Sequence, residues 1–297
     1  MSNREPPIVA IIGVGEMGAA VAQRLRLSGA RVRVSLNGRS ADSERRALRA
    51  GLEIVNDDSA LVSNAAFVLS IVPPGVALQV ANQYRTAFAA AANGVVFADC
   101  NAIAPATARR IGAAVAGHPC RYVDAGIIGG PPPQDPGKPG PRFYASGADA
   151  HRLEKLNEFG LEVAVIDGPI GAASGLKLSY AGLTKGITAL GTAMVAAAMR
   201  DGLGDALRNE LARTQPQILR RIGHSVPAMF SKAYRWVAEM EEIAEFLGGE
   251  ERGSTIYRGA ARLYQRIAEE GAQRDTAEGL QALVDFCSAA LASSPAK

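Results

Sequence analysis

The sequence predicts a doubly wound α/β domain over residues 1–168, joined by a long central helix to an all-helical domain over residues 169–297. Three observations carry that reading. Short β-rich apolar runs alternate with helix-like segments through the first half of the chain. A glycine-rich turn directly follows the first of those runs. From Gly171 onward the strand signals stop, and apolar residues recur at helical spacing instead.

Ile8–Ile12 is a continuous apolar run, followed by the glycine turn and an amphipathic stretch to about Ser28. Arg31–Leu36 reads as the second strand, and Asp42–Ala50 as the next helix. Phe67–Val72, Val95–Ala98, Tyr122–Ala125 and Phe143–Ala145 are further strand candidates. Continuous apolar strands separated by helices imply a parallel sheet covered on both faces. Gly129–Pro141 is dominated by proline and glycine, so no helix or central strand runs through it. Two readings of it stand side by side, a surface connector and a loop over a site at the strand ends.

In the second half, Leu176, Tyr180, Leu183, Ile187, Leu190 and Met194 step by four and three, marking one apolar face of a long helix. Trp236, Met240, Ile243 and Leu247 repeat the pattern, and Ala260, Leu263, Ile267 and then Leu280, Leu283, Val284, Cys287 suggest two more helices. The tail from Ala292 is expected to fray.

At 297 residues the chain accommodates two domains of roughly 100–200 residues each. Hydrophobic residues at 48% and charged residues at 21% match an ordinary globular protein. The net charge of +3 is too small, and its lysines and arginines too dispersed, to argue for nucleic acid. Three cysteines without CxxC spacing, Cys100, Cys120 and Cys287, point to a reducing, cytoplasmic setting. The absence of an HExxH or Cys/His cluster predicts no metal. No signal segment is expected, and the most apolar stretch, Ala189–Met199, falls short of the ~20 residues that cross a bilayer.

Gly13-Val14-Gly15-Glu16-Met17-Gly18 follows a strand and opens a helix, the frame in which GxGxxG becomes specific for a dinucleotide. Gly13 permits the tight turn, Gly15 admits the pyrophosphate, and Gly18 lets helix and strand pack closely. The helix N-terminus offers N–H groups to the phosphates. At the end of the second strand, where an NAD site places a carboxylate for the ribose, the chain reads Asn37-Gly38-Arg39-Ser40. Asn37 removes the charge that repels a 2′-phosphate, Arg39 can pair with that phosphate and Ser40 can donate to it, which favours NADP.

With VAIIGVGEMG (9–18), VLSIVPP (68–74), DCNAIAPAT (99–107), VDAGIIGG (123–130) and GAASGLKLSYAGLTKG (171–186), the chain resembles the β-hydroxyacid dehydrogenase superfamily, which includes 6-phosphogluconate and 3-hydroxyisobutyrate dehydrogenases. AYRWVAEMEEI (233–243) resembles a divergent branch with its own helical C-terminal domain. The resemblance implies a Rossmann-like domain, a helical domain, a homodimer and an active site in the cleft. It places Val72 and Pro73 near the nicotinamide ribose and Asn101 near the nicotinamide. It lines the substrate pocket with Asp124–Gly130, and matches Lys177 to the catalytic lysine. Three departures leave the substrate open. Ile128-Gly129-Gly130 replaces a serine-glycine-glycine motif, Ala181 replaces an asparagine, and Asn101-Ala102 replaces a serine-threonine pair.

Oxidising an alcohol needs a hydride acceptor, supplied by the nicotinamide, and a base for the hydroxyl proton, for which Lys177 is the best candidate. Lys232, Arg235, Glu239 and Glu242 step by three, four and three on a C-terminal helix. They form either a solvated salt-bridge face or, through Arg235 and Glu239, part of a site for an anionic substrate. The expected activity interconverts a small 3-hydroxy acid, or sugar-acid-like alcohol, and its keto form, with decarboxylation where that product is a β-keto acid. Two rivals are an imine reductase, against which Lys177 weighs, and a non-catalytic NADPH-sensing protein that would not need Lys177.

Overall fold

A computed structural model describes residues 5–91, 94–248, 250, 253–272 and 277–292, with backbone only for 271, 272 and 277–280. The expected fraying tail beyond 292 and the Leu280 side chain lie outside the described residues. The chain divides into two compact units, Met1–Leu178 and Ser179–Lys297. That division falls ten residues after the boundary expected from the loss of strand signals.

The first unit runs β1 (Ile8–Ile12), α1 (Glu16–Leu27), β2 (Arg31–Ser35), α2 (Ala41–Arg49), β3 (Glu53–Val55), α3 (Asp58–Val62), β4 (Phe67–Ser70), α4 (Ala77–Ala89), β5 (Val95–Asp99), α5 (Pro105–Val115), β6 (Cys120–Ile128), β7 (Arg142–Ser146) and β8 (Glu162–Val165). A 3₁₀ segment, Ala150–Phe159, precedes β8. The eight strands form one sheet in the order β3-β2-β1-β4-β5-β6-β7-β8. The order reverses between β1 and β4, and the crevice at the carboxyl ends of those two strands is where open α/β sheets bind ligands. One buried cluster includes Val9, Ile11, Leu25, Val34 and Leu153. Another includes Ala10, Ile12, Phe88, Phe97 and Ile111. Alternate residues of β1 thus feed different cores, as a central strand buried on both faces requires.

The sheet is parallel, as expected, except that β7 pairs antiparallel to β6. Gly129–Pro141 returns the chain without a crossover helix, and a strand that follows its neighbour directly must run the other way. Two strands escaped the sequence reading, β3 and β8, both at sheet edges. Edge strands need no continuous apolar run. Glu53 of β3 faces solvent and pairs with Arg31 and Arg33 of β2. Those guanidinium groups, hydrogen-bonded to the carboxylate, outweigh its desolvation and lower the Glu53 pKa.

The long helix α6 (Ala172–Arg200) begins in the first unit and continues into the second. There follow α7 (Gly204–Thr214), α8 (Pro216–Met229), α9 (Ala233–Phe246), α10 (Ser254–Ala272) and α11 (Ala277–Ala292). Leu219, Ile222, Met240, Ile243, Tyr264, Ile267 and Cys287 are buried in this unit. The apolar stripe of α6 is instead exposed: Tyr180 is 50%, Leu183 68%, Leu190 59% and Met194 60% accessible, while Thr188, Ala189, Thr192 and Val195 are buried. The length argument drawn from Ala189–Met199 also needs correcting. The helix containing that stretch has 29 residues and an 18-residue window of mean hydropathy 1.2, enough to cross a membrane by length and composition alone. Its first turns are tied to the sheet.

Candidate active site

The glycine turn is built as a dinucleotide requires. Gly13 holds φ at 97°, and a β carbon there would collide with the Ile71 carbonyl oxygen and stand 2.9 Å from Val72. A β carbon on Gly18 would run into the Gly13 carbonyl oxygen. Gly15 differs from both. It is the N-cap of α1 with no side-chain cap, and a β carbon there would meet nothing within 4 Å. The space beside Gly15 at the start of α1 is therefore open, which fits the close approach of a pyrophosphate to the backbone. Glu16 is exposed, whereas Met17 is half-buried and packs against the core.

Asn37, Arg39 and Ser40 are all exposed. Ser40 caps α2, accepting from the Ser43 N–H at 3.4 Å. Its hydroxyl also lies in hydrogen-bond contact with Ser43 Oγ at 3.2 Å. Arg46, which the sequence reading missed, donates from Nε to the Val14 carbonyl at 2.8 Å and so ties α2 to the glycine turn.

Asn101 is 3% exposed and joins the ends of β4 and β5. Its Oδ1 accepts from the Val72 N–H at 2.7 Å, its Nδ2 donates to Ser70 Oγ at 3.1 Å, and its own N–H donates to Asp99 Oδ1 at 3.0 Å. Val72 is half-buried and Pro73 exposed. The structure thus brings Gly13, Val72 and Asn101 together, three residues that are distant in sequence.

Asp99 pairs with Asp124 across β5 and β6, and β5 ends there while β6 continues to Ile128. Asp124 was expected to line a substrate pocket. It is fully buried. Its Oδ2 accepts from Ser146 Oγ at 2.9 Å, Gly171 N–H at 2.9 Å and Ser174 N–H at 3.1 Å, and its Oδ1 accepts from Ser174 Oγ. A carboxylate on the first N–H groups of a helix neutralises that terminus. Asp124 therefore fixes where α6 begins, and Ser146 adds a bond from the Ala173 N–H at 3.0 Å. Neither serine was signalled by sequence, since a hydroxyl buried against a distant carboxylate leaves no local pattern.

Two residues beyond Asp124, Gly126 lies under Lys177, and a β carbon on it would stand 2.8 Å from the lysine Cβ. Lys177 is half-buried, unlike an ordinary surface lysine. Ile128 is half-buried, and Gly129 and Gly130 are exposed at the end of β6. Gly130 has nothing within 4 Å of a notional β carbon, so its backbone also faces open space.

Residues 8–159 match the family described as the NAD binding domain of 6-phosphogluconate dehydrogenase. The chain belongs to this 6-phosphogluconate dehydrogenase NAD-binding family. Beyond the family's domain, residues 198–267 match a domain of unknown function, DUF1932. Among solved structures, the chain is 28% identical to the conserved protein MTH1747, which is described as of unknown function and structurally similar to 3-hydroxyacid dehydrogenases. That likeness covers 92% of this chain and 99% of the other, with a TM-score of 0.66. Mycobacterium tuberculosis 3-hydroxyisobutyrate dehydrogenase, solved with L-serine, shares 17% identity over 94% of this chain and 99% of its own, with a TM-score of 0.71. Psf3, solved with NADP+ and 2-OPP, shares 20% identity over 86% and 93%, with a TM-score of 0.63. The last two likenesses speak to the fold. Together these findings give a hydroxyacid-dehydrogenase-like fold with an NAD(P)-binding domain.

The two candidate substrate residues of the helical unit have different surroundings. Arg235 is exposed, its guanidinium 5.6 Å from the Tyr234 ring centroid. Glu239 is 6% exposed and ion-paired with Lys185, whose ammonium lies 4.8 Å from the Trp236 ring centroid. The four charges from Lys232 to Glu242 therefore do not form one solvated face. Lys232 stands before α9, as its N-cap.

Proposed function

We propose that this chain is an NADP-dependent oxidoreductase that interconverts a small, anionic 3-hydroxy acid or sugar-acid-like alcohol and its keto form, with Lys177 as the acid–base group. The observation that carries the reading is the stacking of Lys177 on Gly126, three residues before the open Gly129–Gly130 edge, with the helix start held by Asp124. NADP would lie along Gly13–Gly18, Val72, Pro73 and Asn101, with its 2′-phosphate at Arg39 and Ser40 and no acidic residue at Asn37 to repel it. The nicotinamide supplies the hydride acceptor in one direction and the donor in the other. Lys177 takes the hydroxyl proton during oxidation and returns it to the carbonyl oxygen during reduction. The N–H groups of Gly129 and Gly130 orient a carboxylate without the serine hydroxyl that Ile128 replaces. A β-keto acid formed there can lose carbon dioxide while the same ammonium stands at the carbonyl oxygen.

The exposed stripe of α6 supports a symmetric homodimer, since contiguous apolar surface on this scale marks an interaction site. The three free thiols support a reducing, cytoplasmic setting.

The test is a screen of hydroxy acids and sugar acids for NADP+ reduction by the purified protein. On any substrate found, Lys177→Met keeps the stem but removes the ammonium, and should lower turnover by about 10²–10⁴ with NADPH affinity retained. Near-normal turnover by Lys177→Met would make the lysine structural.

A further inference from the structure

The Gly129–Pro141 segment has six prolines among its thirteen residues, and each of those six peptide units lacks an N–H donor. Its carbonyl oxygens outnumber its N–H groups, so the segment cannot satisfy them internally. Arg24 brings the missing donors. It stands in the last turn of α1 and is 4% exposed. Its Nη1 donates to the Pro136 carbonyl at 3.0 Å. Its Nη2 is shared among the carbonyls of Pro133, Asp135 and Lys138 at 3.1, 3.2 and 3.0 Å. A planar, permanently charged fork suits such a ring of neutral acceptors: both terminal nitrogens of this buried guanidinium are occupied, while its Nε has no hydrogen-bond partner.

The rest of the segment is equally determined. At the tip, the Lys138 N–H donates to the Asp135 carbonyl at 3.1 Å, and the Gly137 N–H to Asp135 Oδ1 at 2.9 Å. Gly140 lies against the buried Pro132. At the base, the Ile128–Arg142 pair of β6 and β7 closes the loop. Gly129, with φ at 129°, packs against Pro141, where a β carbon would stand 3.0 Å from the ring.

We infer that Gly129–Pro141 is a fixed strap rather than a lid, locked to the cofactor helix by Arg24, and that Arg24 is a positioning residue for the Gly129–Gly130 edge. The second half of this statement rests on the substrate reading of that edge; the first half does not. Arg24 lies nine residues beyond Gly15, about 13 Å along the helix axis, so the strap and the pyrophosphate use opposite ends of α1. Loss of Arg24 therefore loosens the strap and leaves cofactor binding intact.

Hydrogen exchange of the full-length protein tests the strap directly, with and without NADPH. In the wild type, the Gly137 and Lys138 amides should exchange slowly and be insensitive to NADPH. Arg24→Met should speed both on the order of tenfold to a hundredfold, and Arg24→Lys should fall between, because an ammonium cannot span the four carbonyls. Unprotected exchange in the wild type, or wild-type rates in Arg24→Met, overturns the strap; Arg24→Lys serves should the methionine variant fail to fold. The kinetic arm uses 3-hydroxyisobutyrate as probe. Arg24→Met should raise its KM at least about tenfold, with kcat and NADPH affinity little changed. A fall in kcat at constant KM would mean a merely structural arginine. If the wild type leaves the probe unoxidised, the substrate reading fails for that acid, and the exchange rates still decide the strap.

Discussion

Gly126 and Lys177 are stacked so closely that the glycine hydrogen is the only substituent the contact admits: a β carbon on Gly126 would stand 2.8 Å from the lysine Cβ and 3.1 Å from the Ala173 carbonyl oxygen. Strand β6 thus serves α6 twice within three residues, holding its N-terminus through Asp124 and seating its lysine on Gly126. Gly126→Ala should push the first turns of α6 off the sheet at a cost of about 1–3 kcal/mol in stability, the usual price of overpacking. Turnover should fall by roughly 10²-fold, since a displacement of about 1 Å is enough for that, with NADPH affinity retained. Unchanged turnover in a folded Gly126→Ala protein would remove the seat from the account.

Cofactor choice should reside in Arg39. Arg39→Ala should weaken NADPH by about 1.5–3 kcal/mol, the range for a charge-assisted contact, and leave NADH nearly unaffected. Titrations followed by nicotinamide fluorescence give both numbers, and equal affinity of the wild type for the two cofactors would refute the preference for NADP.

The accessible leucines of α6 should be covered by a second copy. Light scattering of the wild type should give twice the chain mass of 30.9 kDa. Leu183→Glu with Leu190→Glu places carboxylates in that apolar stripe and should yield monomer, because an unpaired charge buried at an interface costs several kcal/mol. A wild-type protein that scatters as monomer at micromolar concentration contradicts the dimer, since large obligate interfaces rarely dissociate there.

Inside the helical unit, the Lys185–Glu239 pair should be costly to break and cheap to replace. Glu239→Gln leaves an ammonium with side-chain exposure of only 16% without its carboxylate, a loss of about 3–5 kcal/mol for a buried pair. Lys185→Met combined with Glu239→Leu should recover most of that loss, seen as a return of the urea midpoint. Tyr264, whose hydroxyl donates to the Lys185 carbonyl at 2.6 Å, packs edge-on against Trp236, so tryptophan fluorescence reports on the same cluster. Two single-variant losses that simply add would show the pair to be uncoupled.

The class of the fold and the glycine turn of its NAD(P)-binding domain were legible along the chain. Those features are local: a strand, a turn needing glycine at Gly13 and Gly18, and a helix start follow one another without interruption, so their spacing is readable along the chain. The helix carrying Lys177 was legible too, because its apolar residues recur every three to four positions. Tertiary structure decided what depends on contacts between distant segments. It set Asp124 against the first N–H groups of α6, brought Asn101 onto Val72, set Gly126 beneath Lys177 and wrapped a proline-rich segment around Arg24. It also sent Glu239 inward to Lys185, and left the α6 stripe, which periodicity alone would bury, facing outward. Periodicity says that a face is apolar, whereas what covers that face is settled by packing partners that share no sequence neighbourhood with it.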